Sequence, residues 1–221
     1  MDSNQENPKP QIIPTPNGPY FLFDEFAPRP VGNLQNSKGT GYSSVRAVAL
    51  CRCGGSKNKP FCDGTHMTND FSGEKEADRQ TDRRDNYVGK KIIIHDNRGI
   101  CAHSGFCTDG LPSVFRLKAE PWIDPVAADI EAIIETIKKC PSGALSYSIE
   151  NVEYHDQDRE PMITVTKDGP YAMTGRVELI GQAWGEGAST EHYTLCRCGA
   201  SKNKPFCSGQ HWDVKFVDDK N

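Results

Sequence analysis

The stretch CRCGGSKNKPFCDGTH, residues 51–66, places three thiols and an imidazole within sixteen residues, and CRCGASKNKPFCSGQH, residues 196–211, does so again. With the leucine ahead of each, the two seventeen-residue copies differ only at Gly55/Ala200, Asp63/Ser208 and Thr65/Gln210. Cys51 and Cys53 (and their counterparts Cys196 and Cys198) are separated by one residue, so their sulfurs meet one metal only on extended or tightly turned backbone. Cys62 and His66, like Cys207 and His211, are four apart, a spacing that a helical turn brings to one face. Pro60 stiffens the approach, Asp63 can cap the turn, and Gly64 lets the backbone come close. Three thiolates and one imidazole serve either a tetrahedral zinc or a two-iron, two-sulfide centre with two ligands on each iron. Zinc knuckles bring in each ligand pair with two to four intervening residues; C-x-C-x8-C-x3-H departs from that habit.

The other three of the nine cysteines form a different pattern. CAHSGFC supplies Cys101 and Cys107, and CPSGAL supplies Cys140. Three thiols fall short of a four-cysteine cubane, so a centre here is [3Fe–4S], or [4Fe–4S] with a fourth ligand from His103, Ser104 or water. His95, His155 and His192 lie outside any ligand spacing and are expected on the surface or in strands. Tyr20, Tyr171, Trp184 and Trp212 are expected to pack.

The bulk composition sets limits on what positions these groups. The chain has 221 residues, 36% of them apolar, and a net charge of −4. A low apolar content favours small units stapled by metal or disulfides. The opening MDSNQENPKPQ is polar and lacks an apolar signal core, and no run approaches a membrane span. A soluble, cytoplasmic protein is therefore expected, whose clustered cysteines read as metal ligands rather than bridges. The mild charge points to neither nucleic acid nor membrane. NGPYFLF (17–23) and DGPYAMT (168–174) each put a turn dipeptide before an alternating strand, and VRAVAL (45–50) and HYTL (192–195) enter the motifs directly. One β-rich unit is thus written twice, over 10–73 and 160–217. Between them, 74–88 reads as a charged, solvated linker and 89–152 as a compact α+β insert. The insert has a strand in KKIIIH (90–95), a helix from Asp124 as N-cap and Pro125 at the first position to Cys140, and a closing strand in ALSYSI (144–149). Arg52, Lys57, Lys59, Arg197, Lys202 and Lys204 surround the motifs. They either offset the negative charge of the thiolates or steer an acidic partner.

The pattern C-x-C-x2-S-x3-P-x-C-D-G-x-H resembles the CDGSH iron–sulfur (NEET) proteins, and residues 51–66 satisfy every position of it. The second copy matches through Cys196, Cys198, Ser201, Pro205, Cys207 and His211, with Ser208 where the family has aspartate. The resemblance implies one [2Fe–2S] cluster in each copy, Cys51 and Cys53 on one iron and Cys62 and His66 on the other. It also implies an α+β fold in which the two units pack as a pseudo-dimer around the insert, with a homodimer as the alternative. C-x-H-x-G-x-C, Trp122-Ile123-Asp124-Pro125 and C-P-S-G-A together resemble a divergent group of single-cluster ferredoxins. No serine–histidine–carboxylate set, phosphate loop or paired carboxylates appears, so a substrate site is not expected. The expected function is one-electron carriage between a reductase and an acceptor. Cluster transfer, storage or redox sensing involving apo iron–sulfur proteins is the second reading, and a zinc-stabilised interaction module the third.

Overall fold

In the computed structural model of the protein, residues 9–23, 33–42 and 47–221 are described. Val45 and Arg46 of the expected strand lie outside them; its remainder is strand β4 (Ala47–Leu50). β1 (Gln11–Pro14) and β2 (Tyr20–Phe23) form an antiparallel hairpin, and β4 pairs with β2. Asn17 takes φ 46° at the hairpin turn, which Thr15 N–H closes onto Pro19 O at 3.0 Å. Asparagine tolerates that left-handed geometry better than most residues. The second half repeats the arrangement. β9 (Met162–Val165) and β10 (Tyr171–Thr174) pair across a turn where Asp168 has φ 49°, and β12 (Tyr193–Leu195) pairs with β10.

The two sheets exchange edges. β3 (Leu34–Gln35) of the first half pairs in parallel with β9, and β11 (Glu178–Leu179) of the second half pairs in parallel with β1. The sheet orders are therefore β11-β1-β2-β4 and β12-β10-β9-β3. Strand alternation turns Tyr20, Leu22, Val48 and Leu50 inward from one sheet and Ile163, Val165, Tyr171 and Met173 from the other, into one shared core. Each such burial is worth about 1.5–3 kcal/mol. At the centre Tyr20 and Tyr171 meet edge to face at 6.0 Å. Each hydroxyl crosses to the opposite half: Tyr20 donates to Cys196 O (2.9 Å) and Pro205 O, Tyr171 to Cys51 O (2.8 Å) and Pro60 O. The tyrosines therefore pack, as expected, and also support the motif backbone of the other half.

The insert carries a separate core. β5 (Arg84–Val88), β6 (Ile93–Asn97), β7 (Leu145–Ile149) and β8 (Val152–Tyr154) form an antiparallel sheet in that order. Helices α1 (Phe106–Gly110) and α2 (Ile130–Ile137) accompany it, with Ile92, Ile94, Phe115, Ile123, Ile133 and Ile137 buried together. Three expectations are corrected. Segment 74–88 is not linker throughout, because Arg84–Val88 pairs with β6. The strand expected at 90–95 is shifted to 93–97. The helix begins at Ile130 with Asp129 as N-cap, not at Asp124. Asp124 is engaged elsewhere: its N–H donates to Val114 O at 2.8 Å and its carboxylate pairs with Arg116 at 3.4 Å. Val126, ahead of the helix, is 58% exposed.

Candidate metal centres

β4 delivers Cys51 and β12 delivers Cys196, and in each motif the chain turns back so that the second donor pair returns to the first strand. Cys62 N–H donates to Ala49 O, and Cys207 N–H to Thr194 O. Cys51 Sγ lies 4.0 Å from Cys53 Sγ, and Cys62 Sγ lies 3.4 Å from His66 Nδ1. The second copy gives 3.8 Å and 3.5 Å. The donors thus come as two pairs in each motif. Among the described residues, no three His, Cys, Asp or Glu side chains converge as a single metal ion would require. His66 sits in a 3-10 turn, Thr65–Met67, entered through Gly64 at φ 88°, rather than in an α-helical turn.

Each thiol is supported from the backbone. Gly64 N–H points at Cys62 Sγ and Gly209 N–H at Cys207 Sγ, both at 3.4 Å. Ser56 and Ser201 tie their loops to Phe61 O and Phe206 O. Asp63 caps its turn as expected, accepting from Lys57 N–H and from both Thr65 N–H and its hydroxyl. Ser208 replaces this with a contact to Lys202 N–H at 3.2 Å. Within each Cys-x-Cys pair the first proton leaves easily because the S–H···S bond steadies the thiolate, and the second is held by that same charge. Burial pushes the Cys207 thiol up.

The two motifs touch back to back. Cys53 and Cys198 form an antiparallel bridge. A Cβ on Gly54 would fall 2.3 Å from Cys198 O, and one on Gly199 2.5 Å from Cys53 O. Both glycines also have positive φ, so glycine is required there on two counts. Arg52 and Arg197, expected to offset charge or steer a partner, are buried and bind backbone. Arg52 donates to Thr15 O and Gly73 O; Arg197 donates to Gly169 O and Thr166 O and pairs with buried Asp218.

Cys101 leaves a 3-10 turn at Arg98–Ile100, Cys107 lies in α1, and Cys140 follows α2. Burial first, and then nearby Cys140, lift the Cys101 thiol to about 12 and the Cys107 thiol to about 11. Cys101 and Cys107, whose protons are held this firmly with Cys140 near both, suit a cation that would displace them. His103 does not bond a thiol through its ring. Its backbone N–H points at Cys101 Sγ at 3.4 Å, while its ring lies over Gly209. Trp212, expected to pack, is 62% exposed and donates Nε1–H to His103 O at 3.0 Å. Asn203 Nδ2 donates to Gly99 O, and Cys101 also adds to the upward push on Cys207. The central thiols therefore adjoin the second motif.

Two arrangements have no signal in residue spacing. Asp96 is buried, taking Trp122 Nε1–H at 3.2 Å on one oxygen, with no partner for the other among the described residues. Arg98 stacks on Trp122 at 4.6 Å. His192, expected on a surface or strand, is buried against Glu191 and Ser189, and Arg159 completes that ion pair. His95 lies in β6, bonded to Asn86 and Ser148, and His155 pairs with Asp156.

The family described as iron-binding zinc finger, CDGSH type, matches residues 17–67 and 168–212. The family described as divergent 4Fe-4S mono-cluster matches residues 87–150. "Uncharacterized protein YjdI" of Escherichia coli strain K12 is 46% identical over 61 residues, 28% of this chain and 80% of that protein. Its namesake in E. coli O157:H7 gives the same values. No solved structure matches. Among the described residues, no helix is long and apolar enough to cross a membrane. Two paired thiol–imidazole motifs flanking a three-thiol group coincide with these matched regions, and the chain belongs to the CDGSH-type iron-binding family, with two such regions around a divergent 4Fe-4S mono-cluster domain.

Proposed function

We propose that the protein is a soluble, cytoplasmic one-electron carrier that holds two [2Fe–2S] clusters and one central [3Fe–4S] or [4Fe–4S] cluster. Cys51, Cys53, Cys62 and His66 hold the first, and Cys196, Cys198, Cys207 and His211 the second. Cys101, Cys107 and Cys140 hold the central one. Each cluster, when bound, supplies reversible one-electron oxidation and reduction. The observation that carries the reading is contiguity: the motifs meet at Cys53 and Cys198, and the segment carrying Cys101 packs on the second motif through Gly99 on Asn203 and His103 on Gly209. The arrival of donors in pairs supports a two-iron centre over a single zinc. The reciprocal tyrosines and exchanged strands support a pseudo-dimer within one chain, so each half stiffens the other's loop. His103 then positions Cys101 through its backbone rather than serving as a ligand.

Anaerobic purification followed by iron and acid-labile sulfide counts tests the reading. About seven or eight irons per chain are expected, with electron paramagnetic resonance resolving more than one centre. Stoichiometric zinc without sulfide overturns it. A second reading, cluster donation, is favoured at the first motif alone, where Cys53, Cys62 and His66 are only half-buried. Mixing holoprotein with an apo-ferredoxin separates the two. Reversible reduction with the iron retained supports carriage; passage of iron and sulfide to the acceptor supports donation.

A further inference from the structure

The two motifs are nearly identical in sequence and opposite in surroundings. In the second, Asn203, Lys204, Gly209 and His211 are buried, because the linker and the central unit lie over them. Glu76 N–H donates to Lys202 O at 2.8 Å, Asp78 pairs with Lys202, and Glu76 lies 3.7 Å from Lys204 Nζ. Gly99 O takes the Asn203 amide, the His103 ring covers Gly209, and Trp212 reaches His103 O. The counterparts in the first motif are Lys57, Asn58, Lys59, Gly64 and Met67. Lys57 and Asn58 are exposed, Met67 is 77% exposed, and Lys59 and Gly64 are half-buried. Lys59 Nζ donates to Ser56 O at 2.8 Å and lies 5.7 Å from the Phe216 ring, but among the described residues no carboxylate pairs with Lys57 or Lys59 as Asp78 and Glu76 pair with their twins.

A surface that is complementary to one occupant inside the chain keeps that complementarity where the same residues stand uncovered. Lys57, Asn58 and Lys59 repeat Lys202, Asn203 and Lys204 residue for residue. The one acidic addition, Asp63, has both oxygens engaged by Lys57 N–H and Thr65. We infer that the open face of the first motif docks a separate small iron–sulfur protein of the single-cluster ferredoxin type, seated as the chain's own central unit is seated on the second motif. The partner presents two carboxylates to Lys57 and Lys59, a backbone carbonyl to the Asn58 amide, and a ring or loop edge to Met67. That the partner carries a cluster rests on the function proposed above; its acidic, carbonyl-presenting contact surface rests on the packing alone.

The test is calorimetric titration of the full-length holoprotein with a purified acidic single-cluster ferredoxin, at low and at raised salt. One-to-one saturable binding is expected, weakening as salt screens the lysines. Lys57→Glu combined with Asn58→Ala should weaken it about tenfold or more. Lys118→Glu, the same charge change at an exposed site outside the motif, should leave it unchanged. Iron content and circular dichroism of each variant establish that it has folded. Absence of saturable binding overturns the inference, and so does equal weakening by Lys118→Glu, which would mean unspecific charge attraction. Self-association of the chain alone that the double variant abolishes also overturns it, in favour of a second copy as occupant. Failure of the cluster assignment shows instead in the sulfide count, independently of binding.

Discussion

Asp96 carries an electrostatic cost that shows as a dependence of stability on pH. Burial lifts its carboxyl to about 7, against the usual range near 4, and the opposing pull of Arg98 and the Trp122 bond is too small to cancel it. The folded chain therefore keeps a proton that the unfolded chain has released. Stability is undiminished below about pH 4, falls as pH rises through the window up to about 7, and stays reduced above it. The full penalty is on the order of 4 kcal/mol. Asp96→Asn should flatten the slope of the unfolding midpoint between those pH values and leave the acid end unchanged; an unaltered slope would refute this account. The imidazoles of His66 and His211, as ligands in the proposed function, give a prediction of opposite sense. Imidazole is the donor that can take a proton near neutrality, so acid should promote iron loss, and His66→Cys with His211→Cys should suppress it. Unchanged acid sensitivity in the absorbance decay sinks that expectation. The exchange of Asp63 for Ser208 also follows from surroundings: Ser208 shares a groove with Asp78, where a second carboxylate would repel the strap.

Among the elements, the crossed tyrosines couple the halves directly. Tyr20→Phe or Tyr171→Phe leaves Cys196 O or Cys51 O without its buried donor, at a cost of about 1–3 kcal/mol. The two variants should lower the denaturant midpoint by similar amounts, and a large inequality would mean that the halves do not share the load. The hairpins were legible because Asn17-Gly18 and Asp168-Gly169 dictate a turn before each alternating strand. The pairing of Cys51 with Cys53 and of Cys62 with His66, and of their repeats, was legible because that spacing is written locally. β3 and β11 were not, since two residues carry no periodicity and their pairing is decided by a distant partner. The helix start was misread because Asp124-Pro125 is a sound capping pair by local rules, whereas Arg116 and Val114 claim that aspartate in three dimensions. The linker's ion pairs with Lys202 and Lys204 were invisible because charge runs alone name no partner.

Across the whole molecule, the inequality of the two motifs is the property that nearly identical sequences conceal. A ferrous chelator should remove iron in two phases, the first motif faster than the covered second. Asn203→Ala with Glu76→Ala should speed the slow phase by removing the Glu76–Lys204 pair of the strap and the Gly99 contact, leaving the fast phase untouched. One rate for all iron would contradict the difference in cover. The parallel pairings of β3 with β9 and of β11 with β1 have a consequence for how the protein is made. A nascent chain released as far as the first motif has a sheet still missing its border, and that border is encoded beyond the whole of the insert. Neither half can close before β11 has left the ribosome, so the cysteines of residues 51–62 wait in an unfinished shell while the insert is synthesised.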